Sequence, residues 1–343
     1  MPFYPAAATV TVRQLIVRAA GTQPGSVEAM VARVSAKPLD FAPGTRWAYS
    51  NTNYVLLGRV IERVSHRSYE DYVRTRLFAP AGMTHSGFIG EEARLVPMAL
   101  GYAFDGRTVV PAPALRSEWA YSAGAIVSTV RDLVAWNAAL AAGKIVTADD
   151  LALMRGAGRL ADGASTAYGF GSIVDTLGRH ARVWHNGGTF GFSAANATFP
   201  QDGQQIVVLA NLANSAPESL VDAVFASLHP DVARALTTPA GGEDAAVTAR
   251  VREWLHRFET GDIDRAQLTP SMSSALTDEL VARTKVQFGS LGEPTSLVYR
   301  SKAARDGATT YAYSATFPTG SFSITISVVA GGKIAGYLVG PPR

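Results

Sequence analysis

Three consecutive side chains, Tyr49, Ser50 and Asn51, have the types and the spacing to act together chemically, as a phenol, a hydroxyl and an amide. The apolar residues that follow recur at helical spacing, at Leu56, Leu57, Val60, Ile61 and Val64. This pattern predicts a helix from about Asn53, capped by Asn51 or Thr52, that holds the three side chains on a rigid corner. Such a corner could transfer a proton and bind a substrate carbonyl group. In isolation, a motif this short is more often a capped turn without chemistry.

A second candidate stretch reads His185-Asn186-Gly187-Gly188-Thr189 and lies where apolar and polar residues alternate. An isolated histidine on a strand is usually a polar surface residue. Here two glycines follow it, and glycine in a strand lets another backbone approach closely. The histidine is therefore a second candidate site residue.

Four segments together resemble one known family. They are Pro43–Glu62, Arg76–Met83, Ser122–Leu133 and His185–Phe192. In these segments the chain resembles the serine β-lactamase and penicillin-binding-protein superfamily. It is most similar to the class C β-lactamase-like serine hydrolases, which include esterases and D-amino-acid peptidases. The resemblance covers roughly Thr9 to Leu228, and its specificity comes from the combination of segments.

The resemblance implies hydrolysis of a small-molecule ester, amide or peptide through an acyl-serine. In this superfamily the nucleophile is the serine of a Ser-x-x-Lys segment, assisted by a Tyr-x-Asn corner and a Lys- or His-x-Gly strand. Tyr49 matches the tyrosine that shares the proton transfer, Asn51 the amide that binds the substrate, and His185 the strand residue. The backbone N–H of Gly188 would be an oxyanion donor, a contribution worth about 10²–10³ in rate in other enzymes. The resemblance also places four residues beside the substrate, namely Ser50, Asn186, Gly187 and Thr189.

The histidine at the position of a lysine favours esterase or D-amino-acid peptidase activity over β-lactamase activity. The Ser-x-x-Lys segment itself does not occur in the sequence, since no lysine has a serine three residues before it. The nearest pattern, Ser35-Ala36-Lys37, has the wrong spacing, because side chains two residues apart on a helix do not face each other. We therefore expect no nucleophile in this chain.

The resemblance also implies a structural gap. In relatives the nucleophile helix and the first strands precede the part that matches Thr11 to Gly21, so we expect an N-terminally incomplete domain. Their absence would leave an apolar slot, and exposed apolar surface is typical of a site for a partner or for self-association.

Three hypotheses follow from these observations. The first is a shortened serine hydrolase whose complete form acylates. The second is a non-catalytic pseudoenzyme that binds a ligand or a partner through the open cleft. The third is a hydrolase with a different nucleophile, such as Ser50.

The elements that must position these residues indicate an α+β fold. We expect a β-lactamase-like antiparallel sheet with flanking helices and a helical subdomain. Helices are predicted at about 11–21, 28–34, 53–64, 69–78 with a stop at Pro80, 129–143, 149–155 and 215–228. From Tyr168 the apolar period changes to two. Strands are predicted at about Tyr168–Asp175, Ala181–Asn186, Phe192–Phe199 and Gln205–Asn211.

A small polar stretch at 237–246 predicts a linker between a hydrolase domain (1–236) and a small domain (247–343). The small domain is predicted to contain helices at 247–258 and 273–288. Four strands follow, at about 295–302, 309–317, 321–329 and 333–339, and form an antiparallel meander. In outline this domain is similar to cystatin-like or nuclear-transport-factor-type modules. It is interpreted as an accessory domain, with a small-ligand or peptidoglycan-binding cup as the alternative.

The composition excludes several classes of function. The 343 residues are 47% apolar with a mean hydropathy of +0.09, which is typical of an ordered globular protein. The net charge is only +3, without a basic block, so no nucleic-acid partner is expected. There is no cysteine, and the histidine spacing predicts no metal or other cofactor. Neither a membrane-spanning segment nor a signal peptide is expected in this chain. The resemblance implies a periplasmic or extracellular location for a full-length relative.

Overall fold

The fold was analysed in a computed structural model. It describes residues 27, 29, 38–91, 94–95, 97–104, 108–113, 120–213, 215–305, 307–318 and 320–340. The chain divides into two compact units, Met1–Ala103 with Val109–Pro217, and Phe104–Thr108 with Glu218–Arg343. The predicted domain limits at 236 and 247 stay a prediction. The predicted helices at 11–21 and 28–34 lie almost entirely outside the described residues.

Helix α1 (Asn51–Ser65) begins at the corner formed by Tyr49, Ser50 and Asn51, which we name the tyrosine corner. The prediction that Asn51 or Thr52 caps it was wrong, because Ser50 keeps an extended backbone and its hydroxyl accepts a hydrogen bond from the Asn53 amide at 3.3 Å. The buried face also differs from the predicted apolar stripe, since it contains Thr52, Asn53, Val55 and Gly58. The spacing of apolar residues did not predict the buried face of α1, because two polar residues of the helix, Thr52 and Asn53, face the protein interior.

Helix α2 (Tyr69–Val73) continues through a π-helical turn (Arg74–Phe78) into α3 (Ala79–Ala81). The predicted end at Phe78 with a stop at Pro80 was wrong, because the helix continues to Ala81 and is capped by Gly82 with a φ of 75°. A π turn directly precedes this segment, in which Pro80 lacks a backbone N–H. Tyr69, Val73, Phe78 and Phe88 form part of the buried cluster below these turns.

In the first unit a 3-10 turn (Tyr121–Ala123) is followed by helices α4 (Val130–Ala141) and α5 (Ala148–Arg155). The predicted cap of α4 is present, because the Thr129 hydroxyl accepts from the Asp132 amide at 3.2 Å. Four short strands also belong to the described chain: β1 (Gly87–Phe88), β2 (Tyr102–Phe104), β3 (Val109–Pro111) and β4 (Ile126–Val127).

The sheet of the first unit is antiparallel, in the order β5-β6-β7-β8. Its strands are β5 (Ile173–Leu177), β6 (His180–Thr189), β7 (Phe192–Phe199) and β8 (Gln204–Ala210). The alternating pattern therefore located all four strands. The first begins later than predicted, at Ile173, and Tyr168 is joined to it only by a single bridge to Ile173.

The second unit contains helices and a four-stranded antiparallel sheet, in the order β12-β11-β10-β9. Its strands are β9 (Ser296–Arg305), β10 (Ala308–Phe317), β11 (Gly320–Val329) and β12 (Ile334–Gly340). The helices are α6 (Pro217–Leu228), α7 (Pro230–Thr237), α8 (Ala245–Thr260), α9 (Pro270–Ala275) and α10 (Asp278–Gly289). The α+β class and the meander are confirmed. The alternation along β11 holds, since Ile324 and Ile326 are fully buried.

Two helices differ from the prediction. The single helix predicted at 273–288 is two helices, because Thr277 caps a new one by accepting from the Leu280 amide. Helix α7 was not predicted, and it begins at Pro230. Among the described residues, no helix combines the length and the apolar character that crossing a membrane requires.

Candidate active site

Two side chains of the tyrosine corner, Tyr49 and Asn51, are hydrogen-bonded to each other. The hydroxyl of Tyr49 donates a hydrogen bond to Oδ1 of Asn51 at 2.9 Å. Tyr49 is 49% exposed, so its phenol is reachable from solvent. Partial burial raises the pKa of Tyr49, which keeps the phenol protonated near neutral pH. The corner therefore presents a neutral phenol whose proton is directed at an amide oxygen.

Ser50 is the buried member of this corner. It is only 5% exposed, and its hydroxyl caps α1 by accepting a hydrogen bond from the Asn53 amide. A serine that caps a helix and is enclosed by protein is poorly placed to attack a substrate. The substrate contact of Ser50 stays a prediction.

His185 meets the tyrosine corner in space, although it lies far from Tyr49 in sequence. The two rings have centroids 5.9 Å apart. His185 lies on β6, and its ring is largely buried, which lowers the pKa of His185. The structure thus brings Tyr49, Asn51 and His185 together, while their chemical roles remain predictions.

Side chains anchor the strand that carries His185 and the strand next to it. His185 pairs with Asn196 of β7, whose amide exchanges two hydrogen bonds with Asn137 of α4 at 2.7 and 3.1 Å. On β6 itself, the buried guanidinium of Arg182 forms two hydrogen bonds to Asp175 of β5, both at 2.8 Å. These contacts join β6 to β5 and β7 to α4.

The glycines after His185 leave open space, as the sequence suggests. Gly187 and Gly188 are exposed, and a Cβ built on either would meet no atom within 4 Å. Asn186 and Thr189 on either side of them are half-buried. A flat ligand could therefore approach the backbone of this strand without a steric obstacle.

The sequence analysis missed Tyr168. Its ring lies 6.2 Å from that of Tyr49 and 5.8 Å from that of His185, and its hydroxyl oxygen lies 2.9 Å from Nε2 of His185. Burial, and then the neighbouring phenol of Tyr54, raise the pKa of Tyr168. The available signal was the Tyr168-Gly-Phe-Gly171 sequence just before the sheet, because a large aromatic among glycines is unusual in a strand.

One cluster of metal-ligating side chains lies in the second unit. His256, Glu259 and Glu293 each place a ligand atom within 4.8 Å of the others. His256 and Glu293 are exposed, and exposed acidic groups commonly gather without an ion.

Comparison with known proteins gives a consistent family. A family model described as Beta-lactamase matches residues 2–229. A protein named penicillin-binding protein PbpX, from Bacillus subtilis (strain 168), is 30% identical over 226 residues, or 63% of this chain and 54% of the relative. The D-aminopeptidase of Brucella anthropi is 26% identical over 288 residues, or 84% of this chain and 51% of the relative. The chain thus spans about half the length of these curated relatives.

A solved structure extends the likeness to both units. The octameric penicillin-binding protein homologue from Pyrococcus abyssi matches with a TM-score of 0.58 at 18% identity, over 97% of this chain and 75% of that one. At that identity the likeness concerns the fold alone. The expected fold of the first unit therefore agrees with that of a solved relative.

Proposed function

Because this chain belongs to the beta-lactamase family, we propose that its first unit is the tyrosine and histidine part of an acyl-serine hydrolase site. The observation that carries the proposal is the approach of His185 to Tyr49 at 5.9 Å between ring centroids, with Asn51 bonded to the tyrosine. Two segments distant in sequence supply these groups, and the resemblance to the superfamily implies a catalytic role for the same two segments.

In this proposal the protein's own groups bind and orient a carbonyl compound. The Asn51 amide binds a polar group of the ligand, and the backbone N–H of Gly188 lies on the open strand where it could meet the carbonyl oxygen. Burial raises the pKa of Tyr49, so its phenol stays protonated near neutral pH and can donate a proton, while no phenolate is present in the resting protein to act as a base. A proton acceptor and an attacking hydroxyl must come from elsewhere.

We further propose that the chain as given binds its ligand without forming an acyl-serine. The sequence offers no Ser-x-x-Lys segment, and Ser50 is buried and occupied as a helix cap. The alternative is a pseudoenzyme that uses the same cleft to bind a ligand or a partner protein. The hydrolase and pseudoenzyme hypotheses both assign a ligand-binding cleft to this chain. They differ in whether a longer form of the protein hydrolyses the ligand.

The ligand proposed for this cleft is an ester or amide of a D-amino acid. The support is the likeness to a D-aminopeptidase over 84% of the chain, together with a histidine where β-lactamase-type sites have a lysine. Self-association or a protein partner at apolar surface of the first unit also remains a proposal.

Covalent labelling tests the proposal that this chain forms no acyl-serine. The full chain is incubated with a fluorophosphonate and, separately, with a chromogenic β-lactam, and its intact mass is measured. We expect no adduct. An adduct on any serine would show that the chain carries its own nucleophile, and peptide mapping would identify that serine.

A binding experiment tests the proposal that the cleft binds an amide of a D-amino acid. Binding of D-alanine amide to the full chain is followed by chemical-shift titration, with Asn51→Ala and His185→Ala compared with His66→Ala at an exposed surface position. Loss of one ligand hydrogen bond weakens binding by about tenfold. We expect that loss for Asn51→Ala, some loss for His185→Ala, and none for His66→Ala. Binding that is absent, or unaffected by both site variants, would contradict the proposed cleft.

A further inference from the structure

Both ring nitrogens of His185 are hydrogen-bonded within the protein. Nδ1 faces the carbonyl oxygen of Asn186 at hydrogen-bonding distance, and Nε2 lies 2.9 Å from the hydroxyl oxygen of Tyr168. A carbonyl oxygen can only accept a hydrogen bond, so Nδ1 must carry a proton. In a neutral imidazole the other nitrogen then carries none, and the hydroxyl of Tyr168 donates to Nε2.

The surroundings of the ring oppose a second proton. Burial lowers the pKa of His185. The titratable groups that face the ring are the phenols of Tyr49 and Tyr168, which are uncharged near neutral pH. Within the part of the chain that the structure describes, no carboxylate forms an ion pair with this histidine. The neutral ring is therefore the form that this environment favours.

Tyr168 is held firmly enough to fix the orientation of its partner. It is 4% exposed, and its carbonyl oxygen accepts hydrogen bonds from the Gly158 amide at 2.8 Å and from the Thr166 hydroxyl at 2.9 Å. Its ring packs against that of Trp47, with centroids 5.4 Å apart. A side chain restrained at its backbone and at its ring can hold a hydrogen-bond partner in one position.

We propose that Tyr168 is a positioning residue that holds His185 as a neutral imidazole with its proton on Nδ1. Because both nitrogens are used within the protein, the ring offers a ligand neither a positive charge nor a spare N–H. A ligand at this point of the cleft is then held by the backbone around Gly187 and Gly188, which suits an uncharged ester or amide better than a carboxylate. This consequence for the ligand rests on the proposed function, whereas the state of the ring does not.

Nitrogen-15 NMR of the full chain with labelled histidine tests the proposal, because it reports which ring nitrogens carry protons. His185→Gln identifies the signal by its disappearance. At a pH of about 6.5, where a free imidazole is half protonated, we expect a protonated Nδ1 and an unprotonated Nε2 in the wild type. In Tyr168→Phe, we expect a share of the Nε2–H tautomer and a protonation constant about fivefold higher, which is the effect of one ordinary hydrogen bond.

The matched control is Tyr72→Phe, which removes a tyrosine hydroxyl from the separate helix α2 and should leave the His185 signal unchanged. A doubly protonated ring or an Nε2–H tautomer in the wild type would overturn the proposal. So would an unchanged signal in folded Tyr168→Phe. If that variant fails to fold, a coupling between the Tyr168 hydroxyl proton and Nε2 in the wild type decides, and its absence counts against Tyr168. The spectra need neither ligand nor turnover, so their result is independent of the labelling and binding experiments.

Discussion

At the scale of single residues, the candidate site combines neutral groups. Tyr49 keeps its proton because burial raises its pKa, and His185 favours its uncharged form because burial lowers its pKa. Opposite pKa directions on a phenol and an imidazole have the same consequence, which is the loss of charge. A site built in this way orients a ligand by hydrogen bonds and shape more than by charge.

The lowered pKa of His185 predicts a dependence of stability on pH. The unfolded chain binds this proton more readily than the folded chain. The contribution of His185 to the free energy of unfolding is therefore complete above a pH of about 6.5 and falls as the pH decreases. His185→Gln should lose less free energy of unfolding than the wild type on acidification. Urea unfolding about one unit above and one unit below pH 6.5 measures the difference.

The control for this comparison is His66→Gln, at an exposed residue. Carboxylates contribute equally to the wild type and to both variants, so only the difference between them is interpreted. Equal losses in the wild type and in His185→Gln would show that burial of this ring does not disfavour its protonation.

Ser50 provides a second prediction at this scale. Its hydroxyl satisfies the Asn53 amide at the start of α1, and loss of such a cap costs about 1 kcal/mol. Ser50→Ala should therefore lower the free energy of unfolding by about that amount, whereas Ser50→Thr should retain part of it because threonine also caps helices and brings no charge into this buried position. Denaturant titration measures both. Equal losses for Ala and Thr would contradict the cap.

At the scale of elements, the close contact between α1 and the turn at Tyr121–Ala123 depends on Gly58. A Cβ at this position would lie 2.2 Å from the Ser122 hydroxyl oxygen, 2.5 Å from the Ser122 Cβ and 2.7 Å from the Tyr121 ring. The Ser122 hydroxyl is not free to move away, since it donates to the Tyr54 carbonyl at 2.8 Å. The turn at Tyr121–Ala123 therefore packs directly against the backbone of α1 at Gly58.

Gly58→Ala should destabilise the protein by about 1–3 kcal/mol, because overpacking outweighs the better helix propensity of alanine. The matched control is Gly289→Ala at the end of α10, where a Cβ meets nothing within 4 Å. That change should be neutral or stabilising by up to about 1 kcal/mol. Thermal and urea unfolding of both variants measures the effect. A neutral Gly58→Ala would show that the contact between α1 and the turn is loose.

The sequence predicted the regular elements better than the contacts between them. Periodicity located all four strands of each four-stranded sheet but none of the short strands β1 to β4, and Thr129 identified the start of α4. It did not identify Tyr168 as a site residue, because its place in the site depends on its contact with His185, which lies on another strand. The cap at Ser50 was missed by one residue, since a serine and an asparagine in succession are equally good caps by type.

At the scale of the whole molecule, the candidate site belongs to the first unit, and the second unit has a core of its own. That core includes Trp254, Tyr299, Tyr313, Ile324 and Ile334, all at most 2% exposed. A separate core is typical of a unit whose stability depends mainly on its own packing. The residues of the candidate site all belong to the first unit, and the role of the second unit as an accessory module stays a prediction.

Arg300 connects α7 to the sheet of the second unit. Its guanidinium donates hydrogen bonds to the carbonyl oxygens of Ala235 and Leu236 at the end of that helix, and its Nε donates to the Ser314 hydroxyl at 2.8 Å. A helix C-terminus leaves carbonyl groups without partners, and a positive side chain there satisfies them and favours the helix dipole. One side chain thus holds a short helix that the sequence pattern did not predict.

Arg300→Met should release α7 while the first unit stays intact, because methionine keeps much of the apolar stem and removes every donor. The expected loss is about 1.5–3 kcal/mol for hydrogen bonds made by a charged group. Hydrogen exchange followed by mass spectrometry of the full chain should show faster exchange over 230–238 and unchanged exchange in β6. Arg283→Met, at an exposed position on α10, is the matched control and should leave both regions unchanged.

If α7 keeps its protection in Arg300→Met, packing and not the arginine holds this helix. If β6 also loses protection, the two units depend on each other for stability.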